Sequence, residues 1–146
     1  MFAAPAKELE TLHEHKHSWS NEMLKPGSNP LAGVRGELFH MQGEFDVGAA
    51  SELRFLVRGV PIVYDVGRQE LSCAGKTAPL GLADGTIRLE VLVDRTSIEI
   101  FGNGGRIYMP IGVVLAENDK SLALHAKTGS ARIRSMEVYR LRSAWE

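Results

Sequence analysis

One cysteine, Cys73, occurs in 146 residues. An internal disulfide is thereby excluded, as is every multi-cysteine zinc or iron–sulfur scheme, and Cys73 reads as a small apolar core residue. Neither sign of charge predominates: 17 Lys+Arg stand against 18 Asp+Glu, a formal net charge of -1. That balance gives no electrostatic footing for nucleic acid. No apolar run approaches the roughly 18 residues of a membrane-spanning helix, so a membrane is not expected among the partners. Residues 1–12 lack the basic region and long apolar stretch of a signal peptide. The sequence has no Gly-x-Ser-x-Gly elbow and no Gly-x-x-x-x-Gly-Lys loop, which leaves Ser-His-Asp hydrolysis and phosphate-loop chemistry without support. No internal repeat or low-complexity tract appears.

What is present is a core. With 44% hydrophobic residues, a chain of this length buries roughly 70% of the surface its unfolded form exposes, enough for one domain without staples. Residues 5–15 have helix-like features, with Pro5 ahead of Lys7, Glu8, Leu9 and Leu12, and at most make a short helix or a leader. The turn-forming stretch Lys25 to Pro30 follows. The expected division is an N-terminal leader and entry segment over 1–30 and a β-sandwich domain over 31–146. From Gly36 onward the period is two. Phe39, Met41, Phe45 and Val47 alternate with His40, Gln42, Glu44 and Asp46, and similar alternations recur through Leu53–Val57, Ile62–Val66 and Leu89–Val93. Turn signals near Gly48, Gly67, Asp84 and Asn103 separate them at the rhythm of an all-β sandwich or barrel, and no strand-helix-strand unit appears. The sharpest local prediction is a hairpin over Ile98–Met109 turning at Asn103-Gly104. Between Ile133 and Met136 the inward phase slips by one, which predicts a β-bulge near Ser135.

His13, His15 and His17, two apart, would share one face of an extended segment. No companion carboxylate or Cys pair fixes a coordination geometry, so no metal site is expected, and none of the residues implies a cofactor. The best-placed carboxylates are Asp94 and Glu99, flanking the Arg95-Thr96-Ser97 corner, with Arg95 near enough to hold one of them charged. Two roles stay open for them. They could contact a ligand, or Asp94 and Ser97 could cap the turn while Glu99 pairs with a neighbouring Arg. A sugar site needs charged side chains that read hydroxyl pairs, with an aromatic for the apolar ring face. Arg58, Tyr64, Asp65, Asp94, Arg95 and Glu99 lie near predicted strand ends, and Trp19 or Tyr108 could serve as the platform. Each has a structural reading too: Tyr64 alternates with core positions and Arg58 reads as a surface residue.

The stretch Ile87–Met109, through Leu89, Val93, Asp94, Ser97, Glu99, Phe101, Asn103 and Gly105, resembles the signature hairpin of the C-terminal β-sandwich of glycoside hydrolase family 32, the invertases, levanases, inulinases and other fructan hydrolases. The opening Pro5–Leu12, the run Ile62–Asp65 and the closing Met136–Trp145 are similar too. The resemblance implies a two-sheet antiparallel sandwich, jelly-roll and lectin-like, non-catalytic in itself. The family's catalytic motifs, Trp-x-Asn-Asp-Pro-Asn-Gly, Arg-Asp-Pro and Glu-Cys, lie in an N-terminal propeller, and none occurs here. After Asp65 the chain departs from the common Asp-Arg-Ser-x-Ser-Gly run, carrying Leu71–Leu80 instead. Such sandwiches are similar to family 66 carbohydrate-binding modules, which hold the terminal fructose of levan. By that resemblance the expected carbohydrate contacts are Asp94, Arg95 and Glu99, with Arg58 and Asp65 as additions. The implied partners are a fructose-containing carbohydrate and the propeller, and the implied location is secreted or periplasmic. Most family members use the sandwich to brace the propeller or to form oligomer contacts, the rival expectation.

Overall fold

The computed structural model describes residues 13–94, 96–103, 106–113, 115 and 119–141. Among the described residues eleven strands make two antiparallel sheets. One sheet has six strands: β1 (His13–Leu24), β11 (Ala131–Leu141), β2 (Phe39–Asp46), β7 (Thr86–Val93), β8 (Ser97–Gly102) and β9 (Ile107–Gly112), in that spatial order. The other has five: β10 (Leu122–Lys127), β3 (Glu52–Val57), β4 (Val60–Asp65), β5 (Glu70–Cys73) and β6 (Lys76–Pro79). No helix occurs among the described residues.

The alternation sets which face is buried. Phe39, Met41 and Phe45 of β2 point inward with Ile87, Leu89, Val91 and Val93 of β7, and Leu53, Phe55 and Val57 of β3 meet them from the opposite sheet. Phe45 and Phe55 touch edge to face across the sandwich, with centroids 5.5 Å apart and planes at 72°. That contact adds about 0.5–1.5 kcal/mol to what area burial gives. Gly43 sits in the same inward row, where a Cβ would lie 2.6 Å from the Phe45 ring. The small residue therefore lets the ring lie back along its own strand. Cys73 is buried and free, and burial pushes its thiol pKa up, which makes it an inert core residue.

The predicted hairpin is present, β8 pairing with β9 from Ser97↔Gly112, with Asn103 at φ +50°. The pairing ends at Gly102↔Ile107. The predicted bulge is present too: the β11–β2 register shifts between Ile133 and Ser135. Two-residue turns with both φ values positive join β3 to β4 at Arg58-Gly59 and β5 to β6 at Ala74-Gly75, the geometry that suits the twist of the flanking strands. The Leu71–Leu80 stretch that departs from the family pattern is this second hairpin.

One boundary differs from the expectation. The stretch 1–30, set apart as a leader, supplies β1, a 12-residue edge strand paired along β11 from His13↔Leu141 to Leu24↔Ala131. The strand was hidden because it is an edge: of its described side chains only Leu24 is buried and Trp19 partly so, which leaves no alternation to read. His13, His15 and His17 are thus in a strand, with the His17 side chain exposed. The helix-like features of residues 5–12 lie outside the described residues.

Candidate functional site

Antiparallel register fixes which outward side chains share a row. Val93 pairs with Ile98, so residues 94–97 form the corner between β7 and β8, closed by the Asp94 amide donating to the Ser97 carbonyl at 2.9 Å. A second amide, that of Val113, donates to the Thr96 carbonyl at 2.9 Å. Asp94 is exposed at this corner; Arg95 lies outside the described residues.

Along β8, Ile98 and Ile100 point into the core, which turns Ser97, Glu99 and Phe101 outward. Phe101 is nonetheless buried, because Tyr108 of β9 stacks on it with centroids 5.0 Å apart and planes at 28°. The exposed Tyr108 hydroxyl then donates to Glu99 Oε1 at 2.8 Å. That bond, followed by desolvation and the Glu99 charge, pushes the Tyr108 pKa up. Glu99 pairs across the sheet with Leu92, two residues before Asp94 on the same face of β7. Asp94 and Glu99 therefore share one end of one face, roughly 8 Å apart by strand spacing.

The other two expected contacts do not join them. Arg58 reads as a surface residue in the sequence, but it is only 5% exposed. It sits at φ +48° in the β3–β4 turn, and its guanidinium donates to the carbonyls of Asp119 (2.9 Å) and Glu37 (3.3 Å). A guanidinium can be buried this way because its donors meet carbonyl acceptors. Asp65 lies at the far end of β4, roughly 17 Å away along the strand. Its Oδ1 accepts the Arg68 amide at 3.1 Å and so caps the turn into β5. The register Glu52↔Asp65 and Val57↔Val60 puts the two residues at opposite poles of the sandwich.

The structure also assembles a feature the linear sequence does not display. On the outer face of the six-stranded sheet, Glu137, Gln42, Glu90 and Phe101 form one cross-strand row, and Ser135, Glu44 and Arg88 form the next. Between them is a trough of about 250 Å³ floored by the backbone of Met136, Gly43 and Leu89. Its carboxylates are held in place. Glu90 Oε2 is 2.6 Å from His40 Nε2, and the buried His40 ring stacks on Tyr139, centroids 5.9 Å apart. Glu137 accepts the Tyr139 hydroxyl, which is the main cause of its lowered pKa; burial opposes the shift, and Lys16, 3.7 Å away, and Gln42 add to it. Glu44 lies 3.8 Å from both Arg88 and Arg134. A wider cleft of about 400 Å³, bordered by Asp84, Asn103 and Arg106, adjoins the trough, and Glu44 and Arg88 line both. Among the described residues no three His, Cys, Asp or Glu side chains are grouped to hold a metal ion. What the face offers is fixed hydrogen-bond acceptors, guanidinium donors and an aromatic wall.

Residues 8–140 match the family described as Glycosyl hydrolases family 32 C terminal. The chain is similar to the levanase of Bacillus subtilis (strain 168), 32% identical over 165 residues, an alignment covering 97% of this chain and 24% of that protein. It is similar also to a levanase of Bacillus sp. (strain L7), 25% identical over 142 residues, covering 82% of this chain and 15% of that one. Among solved structures, exo-inulinase from Aspergillus awamori matches with a TM-score of 0.78 at 16% identity, covering 99% of this chain and 33% of that chain. Fructan 1-exohydrolase IIa from Cichorium intybus matches at 0.73 and 16% identity, covering 98% and 38%. At those identities the structural likeness is one of fold. The chain spans less than a quarter of the length of either levanase.

Proposed function

The chain belongs to the C-terminal domains of glycosyl hydrolases family 32, and from that premise we propose that it is a non-catalytic module of a secreted or periplasmic fructan-acting hydrolase, holding fructose-containing carbohydrate on the outer face of its six-stranded sheet. The chemistry belongs to the N-terminal propeller of the parent enzyme; the module's part is to keep substrate near it. Relatives named levanase, exo-inulinase and fructan 1-exohydrolase support the substrate class.

The observation that carries the reading is the exposed Tyr108 ring, its plane set by stacking on Phe101 behind it and its hydroxyl end anchored by the bond to Glu99. A fixed aromatic face beside a carboxylate is what a sugar ring requires, one apolar side to stack and hydroxyls to donate. Asp94, and Arg95 next to it in sequence, complete the proposed contact. Arg58 and Asp65 are left out, since their side chains bind the chain's own backbone at opposite poles.

The rival role, a brace for the propeller or an oligomer contact, calls for a broad apolar face. The exposed large apolar side chains among the described residues are Met23 and Tyr108, on the opposite edge strands β1 and β9. That separation favours the sugar reading. Isothermal titration of the chain with fructose, inulin and levan tests it: saturable binding is expected, with at least a tenfold loss in Glu99→Ala at an unchanged melting temperature. Silence toward all three at millimolar concentration would sink the proposal.

A further inference from the structure

The trough and the cleft beside it are contiguous, and their common wall is Glu44 and Arg88. We infer that this groove is a second binding region that takes an internal segment of a neutral sugar polymer, so that the module reads a chain of several units and not only its end. The inference rests on the carbohydrate reading above, and extends it away from the Asp94–Glu99 corner.

Three features carry it. The first is continuity. Glu99 and Phe101 are two positions apart on the outward side of β8, and Phe101 lines the trough, so the stacked Phe101–Tyr108 pair links the corner to the groove. From the Glu99 row to the Arg88 row is roughly 14 Å along the strands, a span for a chain of sugars and too long for one ring.

The second is charge. Glu90 and Glu137 face Arg88 across the trough, and Asp84 and Arg106 both border the cleft, so the lining mixes signs. The trough carries Glu44, Glu90 and Glu137 against Arg88, and the cleft carries Glu44 and Asp84 against Arg88, Arg106 and Arg134. A net anion running through both would meet like charge in the trough, and a net cation would meet it in the cleft. A neutral polyol, whose hydroxyls both donate and accept, satisfies carboxylates and guanidiniums alike.

The third is preorganisation. His40 holds Glu90, and Tyr139 with Lys16 holds Glu137, so these acceptors lose little side-chain freedom when a ligand arrives. Trough and cleft are both open to solvent, which suits a polymer passing through and not an enclosed monomer.

Two substitutions of exposed residues test the proposal with little risk to folding. Arg88 is 67% exposed and its ion pair with Glu44 is long, so Arg88→Gln leaves the sheet intact. Gln42→Ala removes a second exposed side chain from the trough wall. The wild type and both variants are titrated with free fructose, with 1-kestose and with levan, and their melting temperatures are compared. The expected result is fructose affinity within twofold of wild type in both variants, and levan affinity lower by about tenfold in Arg88→Gln and by at least threefold in Gln42→Ala. Levan affinity unchanged in both variants, or lowered no more than fructose affinity, would overturn the inference while leaving the corner site standing. Absence of any sugar binding by the wild type would overturn both readings together.

Discussion

Tyr64, in the middle of the five-stranded sheet, is fully buried and donates its hydroxyl to the Leu80 carbonyl at 2.6 Å. Tyr64→Phe leaves that carbonyl without its partner, a loss of about 1–3 kcal/mol. Burial, and secondarily the charge of Asp65, push the Tyr64 pKa from 10.0 up to about 12. The folded state therefore holds this proton more tightly than the unfolded one. The resulting stabilisation, about 2–3 kcal/mol, is whole below the unfolded value and is lost as pH rises through the folded one. Urea denaturation at a series of alkaline pH values should show the wild type losing stability between about pH 10 and 12 more steeply than Tyr64→Phe. Parallel curves would refute this. At the same scale, side chains differ in how far their sequence neighbours betray them. Tyr64 alternates with Ile62 and so is legible as core, whereas Arg58 follows an alternating run, and nothing local announces the two distant carbonyls that bury it.

Strands and turns were the most legible level, because a half-buried strand writes its inner face into every second residue. The phase slip around Ser135 and the Asn103 hairpin were both readable for that reason. The β1 strand was not, since an edge strand with few buried side chains writes no such pattern. The trough was not either: Gln42, Arg88, Phe101 and Glu137 come from four strands, and only the register makes them neighbours. Turns carry a testable cost. Ala74 adopts φ +50° in the β5–β6 turn with its side chain exposed, a conformation in which an L-residue other than Asn is strained. Ala74→Asn should raise stability by about 0.5–1 kcal/mol, visible as a higher melting temperature. A lower one would mean that the alanine makes contacts outweighing its strain.

As a whole the molecule is held by pairings distant in sequence. The six-stranded sheet is joined through β11, which lies between β1 and β2 and pairs with both. Amides of β2, β7 and β11 should therefore exchange only through global unfolding, while those of β6, a four-residue edge strand with mostly exposed side chains, open earlier. Native-state hydrogen exchange distinguishes the two classes, and β6 amides as protected as those of β2 would count against a hierarchy of this kind. The position of β11 also has a consequence for biosynthesis. On the ribosome β1 is made before every other described strand, yet the partner it needs is more than a hundred residues away. The six-stranded sheet cannot close while that partner is still in the exit tunnel. A nascent chain stalled before Ala131 would present β1 and β2 with bare edges, the state that chaperones and proteases act on. Placing the last described strand in the interior of the sheet thus makes synthesis of β11 a condition of closing that sheet.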